Sequence, residues 1–233
     1  MQQALDLPVI PRYSFENFVC CDGNATALAF ARQLTDPNGH EKLLVLYGPT
    51  GCGKSHLLHA IQQTIGCGSR VVSCKEFTDG NSIGLFAELS SLPALLVDDL
   101  QLLTDTPVLR QMLWELFNHF HSAGLPVALA ANRAPRELTN LDDHLISRLL
   151  WGLVAQLDVS DDSSRRMLIA KLAADRQVLL PDDVAAWLLT VLPRDVGALV
   201  SACNRLYRAA LEQQRKISLR LARELFTPSA TGG

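Results

Sequence analysis

Short apolar runs alternate with helix-like patterns over the first two thirds of the chain. Val127–Ala131 is entirely apolar, while Asn24–Leu34 and Val108–Ser122 carry apolar residues at helical spacing. Short apolar runs between helical segments are typical of strands buried on both faces of a parallel sheet. The runs that predict strands are Lys42–Tyr47, Val71–Cys74, Ala94–Val97, Val127–Ala131 and Leu153–Leu157. The pattern predicts an α/β fold of three layers, with a parallel sheet between two layers of helices.

The strand pattern stops near residue 160, and only helical patterns follow. Asp161–Asp175, Pro181–Val191 and Arg194–Gln213 each place apolar residues on one face of a helix. They predict a small C-terminal helical lid domain. The expected organisation is an extended leader (1–12), an αβα domain (13–158), the lid domain (159–226) and a frayed, polar tail (227–233).

A glycine-rich loop joins the first predicted strand to the helix after it, and it matches G-x-x-x-x-G-K-S. In this context the glycines let backbone N–H groups face phosphates, and the helix N-terminus adds partial positive charge. Lys54 would reach the β- and γ-phosphates, and Ser55 would bind Mg²⁺. We therefore predict binding of ATP or ADP with Mg²⁺ by the loop residues Gly48, Pro49, Thr50, Gly51, Cys52, Gly53, Lys54, Ser55 and His56. Cys52 and His56 are expected to fill space beside the loop.

Two carboxylates end the predicted strand that precedes Leu100. Asp98 is the expected acid on the Mg²⁺ side, and Asp99 is the expected base that polarises water. Without the phosphate loop upstream, these aspartates would be read as a solvated strand end. Asn132 follows another strand and is a candidate polar group beside the γ-phosphate, although the sequence Asn-Arg-Ala-Pro also suits an ordinary turn.

Composition and charge limit the kinds of binding partner that are expected. The 233 residues carry a formal charge of −3, so no overall positive field draws nucleic acid or acidic lipid, and strong direct DNA binding is not expected. The sequence has neither an apolar run of about 20 residues nor a signal-peptide pattern, so a cytoplasmic protein without membrane contact is expected. Six cysteines form no C-x-x-C pair, which indicates reduced thiols and no metal beyond Mg²⁺.

Four segments together resemble the DnaA family of bacterial replication-initiator ATPases, which have the AAA+ fold. They are Tyr13–Val19, Gly53–Ala60, Leu96–Gln101 and Ser147–Leu153, and the resemblance covers nearly all of residues 13–226. It implies that the first segment, with Tyr13 and Phe18, covers the adenine. It also implies that Arg148 is an arginine finger acting on the γ-phosphate of a neighbouring subunit; by itself, Arg148 would be read as a surface arginine.

The resemblance favours a regulatory branch of this family over a complete initiator. The chain leaves no room for the family's helix-turn-helix domain or its helicase-loading domain, and about 20 residues separate the second and third strands, short for the family's single-stranded DNA insertion. The implied role is stimulation of ATP hydrolysis on the initiator DnaA by a paralogue bound to the DNA polymerase sliding clamp. A homo-oligomer is left open.

The leader supports the clamp as a partner. Gln2, Leu5 and Leu7 are similar to the clamp-binding peptide of bacterial replication proteins, in which glutamine is followed by leucines at the fourth and sixth positions. Alternate side chains of an extended peptide can enter pockets of a preformed groove. The competing interpretation is that these leucines pack on their own domain.

One position departs from the family pattern. Gly197 stands where the family has a lid arginine that senses the nucleotide, and Arg194, about one helical turn earlier, is the candidate substitute. Weak intrinsic ATP hydrolysis is therefore expected. Two other functions stay open: a helicase-loader type of AAA+ ATPase, and a non-catalytic adaptor that uses nucleotide only to hold its shape.

Overall fold

Five strands and nine α-helices form the part of the chain that the computed structural model describes, which is residues 13–77, 80–103, 106–139 and 141–226. The leader, with the predicted clamp-binding residues Gln2, Leu5 and Leu7, and the tail lie outside these residues. The strands are β1 (Leu43–Tyr47), β2 (Val71–Ser73), β3 (Leu95–Asp98), β4 (Val127–Ala131) and β5 (Leu153–Gln156). The helices are α1 (Ala25–Leu34), α2 (Lys54–Ile65), α3 (Ser82–Ser90), α4 (Pro107–Ser122), α5 (Asp143–Leu149), α6 (Asp162–Asp175), α7 (Asp182–Val191), α8 (Val196–Glu212) and α9 (Leu219–Phe226).

The strands form one parallel sheet in the order β2-β3-β4-β1-β5. Alternate residues of each strand face opposite sides of the sheet, so the strands contribute side chains to two separate apolar cores. Leu43 and Val45 belong to one core with α3, α4 and α5, whereas Leu44 and Leu46 belong to the other with α1 and α2. The predicted three-layer α/β fold is confirmed.

Helices α6 to α9 pack around a third core of their own, which includes Ile169, Leu188 and Leu206. Arg165 is buried in this lid and donates hydrogen bonds to the carbonyl oxygens of Leu189 and Pro193 at the end of α7. Val196, the first residue of α8, instead packs with the core under α1 and α2. The start of α8 therefore contacts the αβα layer at the edge where the glycine-rich loop lies.

All five predicted strands are present, with ends that differ by at most one residue. The sequence patterns did not single out α3, α5 or α9, each of which has only seven to nine residues and so few helical repeats. Within the described residues, no helix combines the length and apolar character needed to cross a membrane.

Candidate functional site

The glycine-rich loop runs from the end of β1 to the first turn of α2. Gly51 and Gly53 have φ angles of +83° and +107°, a backbone region that side chains disfavour. Both also lie against neighbours: a Cβ on Gly53 would lie 2.8 Å from the Phe18 ring, and one on Gly51 would lie 2.7 Å from the backbone nitrogen of Gly197. Glycine is therefore required at both positions by conformation and by space.

Lys54 turns its ammonium group into this loop. It is buried, and its Nζ donates hydrogen bonds to the carbonyl oxygens of Gly48 at 2.7 Å and Pro49 at 2.8 Å. Cys52, with its Sγ 3.7 Å from the same nitrogen, is buried, and burial raises the pKa of its thiol. Cys52 therefore remains a neutral wall of the loop, and Lys54 supplies the charge.

The structure brings Ser55 and Asp98 together across 43 residues of sequence. The Ser55 hydroxyl donates to Asp98 Oδ2 at 2.5 Å, and Asp98 Oδ1 accepts a hydrogen bond from the backbone N–H of Asp99 at 2.8 Å. A hydroxyl and a carboxylate at the mouth of the loop are oxygen donors of the kind that Mg²⁺ prefers. The residues predicted for the metal therefore fit it.

Asp99 lies at the end of β3 in a left-handed conformation, with φ 59° and ψ 43°. Its Oδ2 accepts from the Ser73 hydroxyl at 3.4 Å, and its Oδ1 accepts from the side-chain amide of Gln101 at 3.0 Å. Gln101 also accepts a hydrogen bond from the backbone N–H of Asn132 at 3.0 Å. Gln101 was not predicted for the site from the sequence, although Gln101 is the one polar residue in the apolar stretch Leu100–Leu103.

A cavity of about 1220 Å³ opens between the loop, the segment from Tyr13 to Val19 and the lid. The predicted residues that line it are Tyr13, Phe18, Gly51, Cys52, Gly53, Lys54, Ser55 and His56. The lid contributes residues that the sequence analysis did not name, including Leu168, Lys171, Asp175, Val200 and Asn204. Lys171 donates a hydrogen bond to Asn17 and so joins the lid to the N-terminal segment.

His56 holds that N-terminal segment against α2. Its Nε2 lies 3.0 Å from the carbonyl oxygen of Ser14, which assigns the ring proton to Nε2. The rings of Tyr13 and Phe18 meet it edge-on, with centroids 5.2 and 5.3 Å away. Burial lowers the pKa of His56, and the Ser14 hydrogen bond opposes that shift. His56 is therefore held as a neutral, aromatic part of the cavity wall.

Of the two lid positions considered for nucleotide contact, Gly197 and Arg194, only Gly197 lies at the loop. Gly197 lies directly against the loop, since its backbone would meet a Cβ on Gly51. Arg194 is 70% exposed, pairs with Asp162 at 3.4 Å, and is not among the described residues that line the cavity. Its role toward nucleotide stays a prediction.

Arg148 lies on α5, apart from the cavity lining. Its guanidinium donates to Asn118 at 2.8 Å and lies 4.7 Å from the ring of Trp114 and 5.2 Å from that of Trp151. Trp151 is 64% exposed. The predicted arginine finger is thus held near the surface by contacts within this chain, and its action on a neighbouring subunit stays a prediction.

The sheet, the phosphate loop and the lid together define the P-loop AAA+ class. Residues 9–156 match the family model of the bacterial DnaA ATPase domain, and residues 161–226 match that of the Hda lid domain. Because the first match covers more than half of the chain, this protein belongs to the DnaA family, as the motifs indicated.

Solved structures share the fold of this chain. Domain III of the Thermotoga maritima replication initiation protein DnaA is 27% identical, with a TM-score of 0.84 over 94% of this chain and 97% of that one. AMPPCP-bound DnaA from Aquifex aeolicus is 24% identical, with a TM-score of 0.75 over 88% and 68%. The Thermotoga maritima RuvB Holliday junction branch migration motor shares the fold, at 19% identity and a TM-score of 0.70 over 93% and 71%.

Proposed function

We propose that this chain binds ATP or ADP with Mg²⁺ in the cavity between the loop and the lid. The observation that carries the proposal is the meeting of Lys54, Ser55 and Asp98 at one loop. Lys54 would hold the β- and γ-phosphates, while Ser55 and Asp98 would hold the metal. Bound Mg²⁺ would supply positive charge to the phosphate oxygens.

The nucleotide-bound chain would act in the cytoplasm as an Hda-like regulator of replication initiation. It would dock on the sliding clamp through Gln2, Leu5 and Leu7 and contact the initiator DnaA through the surface that carries Arg148. Membership in the DnaA family and the match to the Hda lid model support this role. Arg148 would stabilise charge that develops on the γ-phosphate of the initiator's ATP.

The test is the hydrolysis rate of initiator-bound ATP in the presence of clamp loaded on DNA. Arg148→Ala should bind nucleotide with wild-type affinity but no longer stimulate the initiator. The rate of initiator ATP hydrolysis should fall by up to about 10³-fold. Arg148→Lys should recover only a small part, because a point charge lacks the planar fork that spans two phosphate oxygens. Arg208→Ala, which removes an exposed arginine of α8, is the matched control.

Full stimulation by Arg148→Ala would exclude the action in trans. That result would favour the non-catalytic adaptor, the second candidate function. The specific observation behind it is Gly197, which places backbone and no cationic side chain against the loop. Capture of a replicative helicase in place of the clamp would instead favour the helicase-loader function.

A further inference from the structure

The ends of β3 and β4 separate at the edge of the sheet that carries the site. Their last registered pair is Val97 with Leu129, although β4 continues to Ala131. The left-handed conformation of Asp99 then turns the chain away into a short 3-10 helix, Leu100–Leu102. Asp99 and Asn132 therefore lie beyond the strand pairing, and the sheet itself does not fix their separation.

The Gln101 side chain spans this gap. Its Nε2 donates to Asp99 Oδ1 at 3.0 Å, and its Oε1 accepts the backbone N–H of Asn132 at 3.0 Å. A carboxylate can only accept from the NH₂ end of the amide, and a backbone N–H can only donate to the oxygen end. Both contacts require the same orientation of the amide, so the bridge is internally consistent.

Asp99 is held from two sides as a result. Ser73 on β2 donates to one carboxylate oxygen and Gln101 donates to the other. Because Gln101 is itself fixed to β4 through Asn132, the carboxylate is oriented relative to three strands. A half-buried glutamine with both ends of its amide engaged has little freedom to let the carboxylate rotate.

We propose that Gln101 is a positioning residue for hydrolysis of the chain's own ATP, an inference that rests on the proposed nucleotide site. In that step a water oxygen bonds to the γ-phosphorus while the bond from phosphorus to the β–γ bridging oxygen breaks. ADP leaves with the electron pair, and Asp99 takes the proton of the water. Gln101 keeps Asp99 aimed at that water and keeps Asn132 at a fixed distance from it, which matters because small misplacements of a catalytic group cost large factors in rate.

Two variants separate the two ends of the bridge. Gln101→Met has similar length and loses both hydrogen bonds. Gln101→Glu keeps an oxygen for the Asn132 N–H and turns a carboxylate toward Asp99. In single-turnover experiments with Mg²⁺ and ATP, the hydrolysis rate of both variants should be about tenfold or more below that of wild type. ATP affinity by calorimetry should stay within about twofold, since neither end of the bridge lies on the phosphate loop. Gln213→Met, an exposed change beyond α8, should match wild type.

The backbone amide of Asn132 gives a readout that does not depend on hydrolysis. In ¹⁵N NMR spectra, Gln101→Met should shift this resonance and speed its hydrogen exchange, whereas Gln101→Glu should preserve it. The inference is overturned if Gln101→Met hydrolyses ATP at the wild-type rate, leaves the Asn132 resonance unmoved, or loses ATP affinity in parallel with the rate. It is also overturned if the wild-type chain binds ATP and does not hydrolyse it. A wild-type chain that binds no nucleotide would overturn the proposed function and this inference with it.

Discussion

Lys54 shows how a single residue prepares the site for an anion. Its ammonium group is buried, yet its hydrogen bonds go to two neutral carbonyl groups of its own loop. A buried cation whose partners are all neutral is poorly compensated, because burial removes its hydration. Phosphate oxygens would supply the missing negative charge. The local arrangement therefore favours an anionic ligand.

Lys54→Ala should lower the affinity for ATP and for ADP by at least about 100-fold, since charge-assisted hydrogen bonds to phosphate are lost and Lys54 is the only lysine or arginine of the loop Gly48–His56. Isothermal titration calorimetry measures the change. Lys216→Ala, which removes an exposed lysine of the lid, is the control. Tight binding by Lys54→Ala would contradict the assignment of the phosphate site.

At the scale of elements, the contact between the loop and α8 depends on Gly51, which lies against the backbone of Gly197. Gly51 and Gly197 bring two backbones together where any Cβ on Gly51 would clash. Asp195 caps α8 by accepting from the N–H of Ala198 at 2.7 Å, which keeps the start of the helix well formed beside the loop. At this point the lid meets the loop through backbone contact, in addition to the packing of Val196 on the core under α1 and α2.

Gly51→Ala should destabilise the protein by about 1–3 kcal/mol more than Gly124→Ala does, because it adds overpacking to backbone strain. Gly124 also has a positive φ, +66°, but a Cβ there meets nothing within 4 Å, so its variant reports the strain alone. Urea denaturation gives the two free energies of unfolding. Nucleotide affinity should fall only for Gly51→Ala, and equal effects of both variants would argue against the seating of the lid.

The packing of the Tyr13–Val19 segment on α2 predicts a pH dependence of stability. Burial lowers the pKa of His56 below its ordinary 6.5, so the unfolded chain binds more protons than the folded chain just below that pH. The stability contributed by neutral His56 is complete above about pH 6.5 and is lost as the pH falls through the lowered pKa of the folded state.

His56→Gln should remove this dependence. The difference in unfolding free energy between wild type and variant should therefore shrink as the pH is lowered from 7.5 to 5, measured by urea denaturation at each pH. His40→Gln alters an exposed histidine and serves as the control. Parallel pH profiles for wild type and His56→Gln would show that His56 does not titrate differently on folding.

At the scale of the whole molecule, the two proposed working surfaces are separate. The cavity lies between the αβα layer and the lid, whereas Arg148 and Trp151 form a surface of α5 and the turn after it. Under the proposed function, this separation would let a bound nucleotide hold the lid in place while the arginine surface meets a second protein. Variants of either surface should therefore affect different steps.

The leader offers a third, independent test. The combined change Gln2→Ala, Leu5→Ala and Leu7→Ala should abolish capture by the sliding clamp, because all the expected anchors of an extended docking peptide are removed. The midpoint of thermal unfolding and the ATP affinity should match wild type. A clamp complex of unchanged affinity, or a large loss of thermal stability, would make these leucines structural.

The sequence by itself determined the features that are local in the chain. The glycine-rich loop, its strand and its helix lie within Leu43–Ile65, and the paired acids directly follow an apolar strand, so periodicity and spacing were enough to predict them. The parallel three-layer sheet followed because its strands are apolar on both faces. In the loop and the strands, burial and backbone geometry depend on residues that are close together in the sequence.

Only the tertiary structure decided which distant residues contact one another. The Ser55–Asp98 contact spans 43 residues, the Gln101–Asn132 contact 31 and the Arg148–Asn118 contact 30, and these depend on the order of the strands and the path of the chain between them. No periodic pattern in the sequence identifies a glutamine or an asparagine that makes such a contact. Its hydrogen-bond partner is fixed by where two strand ends separate, which only the packed sheet determines.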